Sequence, residues 1–149
     1  MQYRVIEEKD ISALFQVRIS TRENKMTIDQ LSQLGITIDS TREALLDNVK
    51  GWLCAISGKI VGFASGDKDT GEMLVIALLP EYEGLGIGKH LLTPVQDWLF
   101  AQGHQELWLT TSPVPNTRSY GFYRKLGWKA VGIMQGNNEV LKLQIETIE

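Results

Sequence analysis

The sequence predicts an α/β fold built on a mixed sheet, and three observations carry that prediction. Hairpin signals at Ser57-Gly58-Lys59 and Gly136-Asn137-Asn138 pair some strands antiparallel. A glycine-rich turn leads from the most apolar strand, Glu72 to Leu79, into a long amphipathic helix, so crossover helices coexist with the hairpins. The order along the chain is strand, two or three helices, three strands, helix, strand, helix, two strands.

Each element has its own signal. Tyr3 to Ile6 is a short strand candidate. Asp10 is placed to cap a helix with apolar positions Ile11, Leu14, Phe15 and Ile19. Thr27-Ile28-Asp29-Gln30 reads as a capping box, and Gly35 stops the helix that follows. Ser40-Thr41-Arg42-Glu43 reads as a second box, leading through Leu45, Leu46 and Val49 to Gly51. Trp52 to Ile56 and Ile60 to Ser65 are strands around the first hairpin turn. The run Glu72 to Leu79 suits a strand buried on both faces, ended by Pro80. Leu91, Leu92, Val95, Trp98 and Leu99 give the next helix its apolar face, with Pro94 inside it and Gly103 as its stop. Leu107 to Thr111 is a further strand, and Asn116 or Thr117 is placed to cap a helix to about Lys125. Lys129 to Met134 and Glu139 to Ile145 form the last hairpin.

The chain has 149 residues, which suits one domain over 1–149. Its 15 basic and 18 acidic side chains give a net charge of −3, unfavourable for a nucleic-acid partner. The longest apolar run, Met73 to Leu79, is far short of a membrane span, and residues 1–20 hold no apolar signal core. Cys54 is the only cysteine, so no internal disulfide forms and a cytoplasmic location is expected. One cysteine with His90 and His104 makes no metal-ligand spacing, so no metal is expected.

The glycine turn, Gly84-Leu85-Gly86-Ile87-Gly88, carries the sharpest chemistry. Closely spaced glycines entering a helix expose backbone N–H groups at the positive end of the helix dipole, a geometry suited to phosphate. The nucleotide motifs fail: His90 follows Gly88-Lys89 where a P-loop needs Ser or Thr, and Leu91 or Lys89 stands where the dinucleotide motif needs its third glycine.

In that context Glu83-Gly84-Leu85-Gly86-Ile87-Gly88 resembles the pyrophosphate loop Q/R-x-x-G-x-G/A of the GNAT superfamily of N-acetyltransferases. Leu78-Leu79-Pro80-Glu81-Tyr82 resembles the family's lead-in. Asn116 to Trp128 resembles its second signature, with an aromatic-Tyr pair at Phe122-Tyr123 and a Gly-aromatic pair at Gly127-Trp128. The match covers roughly residues 52 to 143. Glu83 departs from the usual Gln or Arg and places a carboxylate beside the loop.

The resemblance implies a mixed, mostly antiparallel sheet flanked by helices. A coenzyme would lie in a splay between the fourth and fifth strands, Glu72–Leu79 and Leu107–Thr111. It implies acetyl-CoA as co-substrate, held at Leu78, Leu79, Gly84, Leu85, Gly86, Ile87, Gly88, Lys89, Asn116, Tyr120 and Tyr123. Tyr123 occupies the family's proton-donor position, against a reading as a core aromatic with a wet edge. Glu72 is the best match for a base acting through water, against a solvated strand-end carboxylate; Glu139 is a weaker candidate. Arg18, Arg22, Glu23 and Asn24 cluster where the acceptor is expected, either gripping an anionic group or forming a solvated face. Trp52, Trp108 and Trp128 are open to pocket or core roles. The implied activity is acetyl transfer to the primary amine of a small molecule, amino acid or peptide, and a homodimer stays open. The alternative is a catalytically weak acyl-CoA sensor or partner-binding module on the same fold.

Overall fold

In the computed structural model, which describes residues 1–23 and 26–146, the organising element is a seven-stranded sheet. Its strands are β1 (Gln2–Val5), β2 (Val49–Ile56), β3 (Lys59–Asp67), β4 (Glu72–Leu78), β5 (Glu106–Thr111), β6 (Lys129–Gln135) and β7 (Asn138–Gln144). They stand in the order β1-β2-β3-β4-β5-β7-β6, all neighbours antiparallel except β4 and β5. The helices are α1 (Ile11–Arg18), α2 (Ile28–Gln33), α3 (Ile38–Leu46), α4 (Ile87–Ala101) and α5 (Arg118–Lys125).

The two faces of the sheet are set by alternation along β3. Gly62 and Gly66 face α4, where an added Cβ would meet Leu91, and Val95 with Leu99, respectively. Phe63 and Ser65 face the other way and line a cavity with Leu14 of α1. The core under α4 holds Leu91, Leu92, Val95 and Leu99, all buried, and the same hydrophobic cluster takes in Leu53, Val61, Leu107 and Leu109.

Several boundaries differ from the sequence reading. The second capping box is Thr37 with Ser40, so α3 starts at Ile38 rather than after Ser40. The helix ends at Leu46, and Val49 and Gly51 belong to β2. Gly51 is a packing glycine, not a helix stop: a Cβ there would lie 2.4 Å from the Ala64 carbonyl oxygen. Asp10 makes no cap to α1. Its buried carboxylate instead accepts both Arg4 guanidinium nitrogens at 2.8 Å and the Glu7 N–H at 2.8 Å. That pairing holds its pKa below the usual range, the Arg4 hydrogen bonds being the largest cause. The Thr27–Gln30 box forms as expected, and Ser57-Gly58 turns the first hairpin with φ of 52° and 79°.

Candidate functional site

The site begins where β4 and β5 part. They pair only at Glu72 and Trp108, where the Trp108 N–H donates to the Gly71 carbonyl at 3.2 Å. Beyond that point the strands diverge. Leu79 N–H donates to Val61 O, which fixes the alternation along β4: the Val75 and Ala77 amides face β3, and those of Ile76 and Leu78 face the gap. A register shift at Ser65/Gly66 leaves Leu74 unopposed by β3, a bulge beside the start of the gap.

The gap opens into a cleft of about 770 Å³. At one end lies the glycine turn. Gly84 and Gly86 take φ of 79° and 81°, conformations that favour glycine. The first helical bond of α4 runs from His90 N–H to Gly86 O, so the N–H groups of Ile87, Gly88 and Lys89 have no acceptor within the helix. A Cβ on Gly88 would press on the Phe122 ring at 3.2 Å, so this glycine lets α5 approach α4.

Glu83 is not bare. Its carboxylate, 14% exposed, pairs with Arg22 Nη2 at 3.3 Å and Arg118 Nε at 3.5 Å. Glu23 in turn accepts the Arg118 N–H, the first of α5, at 3.1 Å to each carboxylate oxygen. The segment after α1 is thereby fastened to the glycine turn and to the N-terminus of α5. Lys89 also lines the cleft but forms no ion pair with Glu83.

Tyr123 lines the cleft from α5, its ring edge-on to Phe122 (5.2 Å) and Trp128 (6.0 Å). Burial pushes its phenol well above the usual tyrosine range, and the Arg18 charge opposes part of that rise. The phenol is therefore protonated at neutral pH. Arg18 ends α1, with Nη2 3.5 Å from Met26 Sδ, and burial lowers its pKa. Because the helix ends there, Arg18 and Arg22 do not share a helix face.

A second cavity, of about 540 Å³, lies between α1, α2, α3 and the sheet. It meets the cleft at Arg18, Leu34, Leu74, Val75 and Thr110, which line both. Glu72 lines this second cavity. Burial first, then the Asp67 charge, raises its carboxyl above the usual range, toward the values useful for a base.

The other sequence candidates fall as follows. Leu78, Gly84, Gly86, Ile87, Gly88, Lys89, Arg22 and Glu23 line the cleft. Leu79 is buried beside it, and Leu85 projects outward at 62% exposure. Asn116 is exposed and does not line the cleft; Thr117 holds the cap position of α5 without a side-chain capping bond, its hydroxyl donating to the Val114 carbonyl instead. Tyr120 lies under Arg124, whose Cζ is 3.5 Å from the ring centre, and Arg124 is tied to Glu139 at 2.6 Å. Glu139 is thus an ion-pair partner and lines neither cavity. Asn24 lies outside the described residues. Trp128 is core, donating to Gln96 Oε1 at 3.1 Å, and Trp52 and Trp108 line neither cavity. His90 is bound to Gly86 O at 2.8 Å and stacks on Tyr3, and His104 bonds the Lys68 carbonyl. Among the described residues no group of three metal-ligating side chains occurs, and no helix is long and apolar enough to cross a membrane.

A mixed sheet is thus parted between two parallel strands, with a glycine turn of unbonded amides at the mouth of the gap. The chain belongs to the acetyltransferase (GNAT) family, whose model matches residues 18–128. Solved structures share the fold. PaiA N-acetyltransferase from Thermoplasma acidophilum, in complex with coenzyme A, superposes with a TM-score of 0.81 at 17% identity, over 97% of this chain and 100% of that one. YncA from Salmonella typhimurium, with its cofactor acetyl-CoA, gives 0.72 at 18% over 100% and 96%. The ribosomal-protein-S18-alanine N-acetyltransferase from Escherichia coli gives 0.72 at 18% over 99% and 97%. No curated protein sequence matches the chain significantly.

The sequence missed Arg118, Ser119 and the Leu74 bulge as parts of the site. Arg118 carried a signal, a cation at the start of a helix facing an anion-binding turn; the bulge shows only in the pairing register.

Proposed function

We propose that the protein transfers the acetyl group of acetyl-CoA to the primary amine of a small molecule, amino acid or peptide. The observation that carries this reading is the cleft itself: free β4 amides, the glycine turn and the Tyr123 phenol converge on one space. When bound, acetyl-CoA supplies a thioester open to attack by a neutral amine.

The residues divide the remaining work. The amides of Ile87, Gly88 and Lys89, with the cations Arg22, Arg118 and Lys89, suit a pyrophosphate. The amides and carbonyls of Ile76 and Leu78 suit an extended amide-bearing arm, as a neighbouring strand would. An alkylammonium has a pKa near 10, so the acceptor must lose a proton before attack. Glu72, with its raised carboxyl, takes that proton directly or through water. Tyr123 gives its proton to the departing sulfur and regains one from solvent. Arg18, charged and beside Tyr123, favours negative charge developing there.

Calorimetric titration with acetyl-CoA, CoA and ATP tests the coenzyme assignment, and CoA release by Tyr123→Phe tests the donor. Saturable acetyl-CoA binding without ATP binding is expected. Equal turnover by wild type and variant would sink the donor role, and acetyl-CoA binding without any turnover would favour the sensor reading.

A further inference from the structure

The second cavity narrows the acceptor. Resting on the acetyltransferase reading, we infer that the acceptor is a primary amine carried on an apolar body, with its ammonium at Glu72 and its body among the first helices.

The cavity wall is mainly aliphatic and aromatic, with Leu14, Phe15, Leu31, Ile36, Ala44 and Leu45 contributed by the helical side. Such a surface gains by covering hydrocarbon and loses by covering unpaired polar groups. Among the described residues Glu72 is the only carboxylate lining it. Its raised pKa records that the charged form lacks adequate solvation there, and an ammonium is the partner that restores it. The cation Arg18 stands where this cavity joins the coenzyme cleft. Its charge disfavours an ammonium at that junction and favours the neutral amine, so the proton is best left at Glu72 before attack.

The balance of the reaction fits this arrangement. One ammonium proton passes to Glu72, the amine nitrogen bonds the acetyl carbon, the carbon–sulfur bond breaks, and the sulfur takes the Tyr123 proton. A second proton leaves the nitrogen to solvent as the amide forms, and water restores Tyr123.

The cavity volume also allows a longer acyl chain to occupy the same space. The carboxylate argues against that, because hydrocarbon would bury Glu72 without a partner. A polyamine is disfavoured for the opposite reason: its second charge would lie against aliphatic walls.

The test is calorimetric titration of the protein, with and without saturating CoA, using 2-phenylethylamine, ethanolamine and 1,4-diaminobutane. 2-Phenylethylamine is expected to bind at least about tenfold tighter than either polar amine. Ala44→Trp, which fills the cavity from α3, should remove that preference and leave CoA affinity in place. Glu72→Gln should weaken the apolar amine by about tenfold. Equal or tighter binding of a polar amine, or no amine binding, overturns the inference. So does octanoyl-CoA binding about tenfold tighter than acetyl-CoA with the difference lost in Ala44→Trp, because the cavity then takes the acyl chain. Failure of acetyl-CoA to bind overturns the acetyltransferase reading instead, and the titrations without CoA still read the cavity.

Discussion

Glu83→Gln separates two consequences of the same carboxylate. It joins Arg22 and Arg118 through contacts of 3.3 and 3.5 Å. The arginine side chains are 61% and 56% exposed, so solvent screens both pairs. Exposed pairs contribute about 0.2–1 kcal/mol each, so losing both costs about 0.5–2 kcal/mol. For a chain of this size that lowers Tm by roughly 2–6 °C. Coenzyme binding should move the other way. A pyrophosphate on the adjacent amides would stand within about 6 Å of the carboxylate, and at an effective dielectric of about 40–80 the repulsion is about 0.7–1.4 kcal/mol. Removing it tightens acetyl-CoA by about three- to tenfold, and both guanidinium groups become available to phosphate. Thermal denaturation and calorimetry at low ionic strength measure the two effects, and added salt should shrink the second. Weaker acetyl-CoA binding by Glu83→Gln would refute the reasoning and show that the carboxylate holds the arginines where the coenzyme needs them.

The remaining predictions address single positions. Tyr123→Phe should lower kcat roughly 10²-fold, the low end for losing a positioned proton donor, while acetyl-CoA affinity changes less than about threefold. Because burial raises the Tyr123 phenol, no loss of activity from its ionisation is expected below about pH 10. Glu72 has a raised folded pKa, so its ionised form destabilises the native state as pH rises through that value. Glu72→Gln should therefore have a higher Tm than wild type at pH 7, with the gap closing below about pH 4.3, where the carboxyl is neutral in both states. Unchanged Tm at both pH values would contradict the burial argument, and turnover by Glu72→Gln should fall even as stability rises. Gly86→Ala meets only the His90 ring, at an ordinary 3.9 Å, but takes a φ of 81°, so it should cost about 1–2 kcal/mol from backbone strain alone, read by denaturant titration.

The fold was legible where local chemistry and tertiary packing agree. The Thr27–Gln30 box, the Ser57-Gly58 turn and the amphipathic α4 are each set by residues within a few positions of one another. The reading failed where distant contacts decide. Gly51 resembles a helix stop until Ala64 and Ile6 are packed against it. Asp10 resembles a cap until Arg4 claims both oxygens. At the site, the glycine turn and Tyr123 were readable from their motif. The counter-charges of Glu83 were not, because Arg22 and Arg118 come from segments far apart in sequence. Asn116 reads as a cleft residue from its motif, yet the loop carries it to the surface and Ser119 lines the space instead.

The single pairing between β4 and β5 has a mechanical consequence. It makes the sheet two leaves, β1 to β4 and β5 with β7 and β6, stitched at Glu72 and Trp108. A ligand lying between them acts as a surrogate strand and ties one leaf to the other. Hydrogen exchange at the Ile76 and Leu78 amides should then slow on coenzyme binding, while Val75 and Ala77, already bonded to β3, change little. The shared core already joins the leaves through Leu107 and Leu109, and a bound ligand adds backbone hydrogen bonds to that apolar contact.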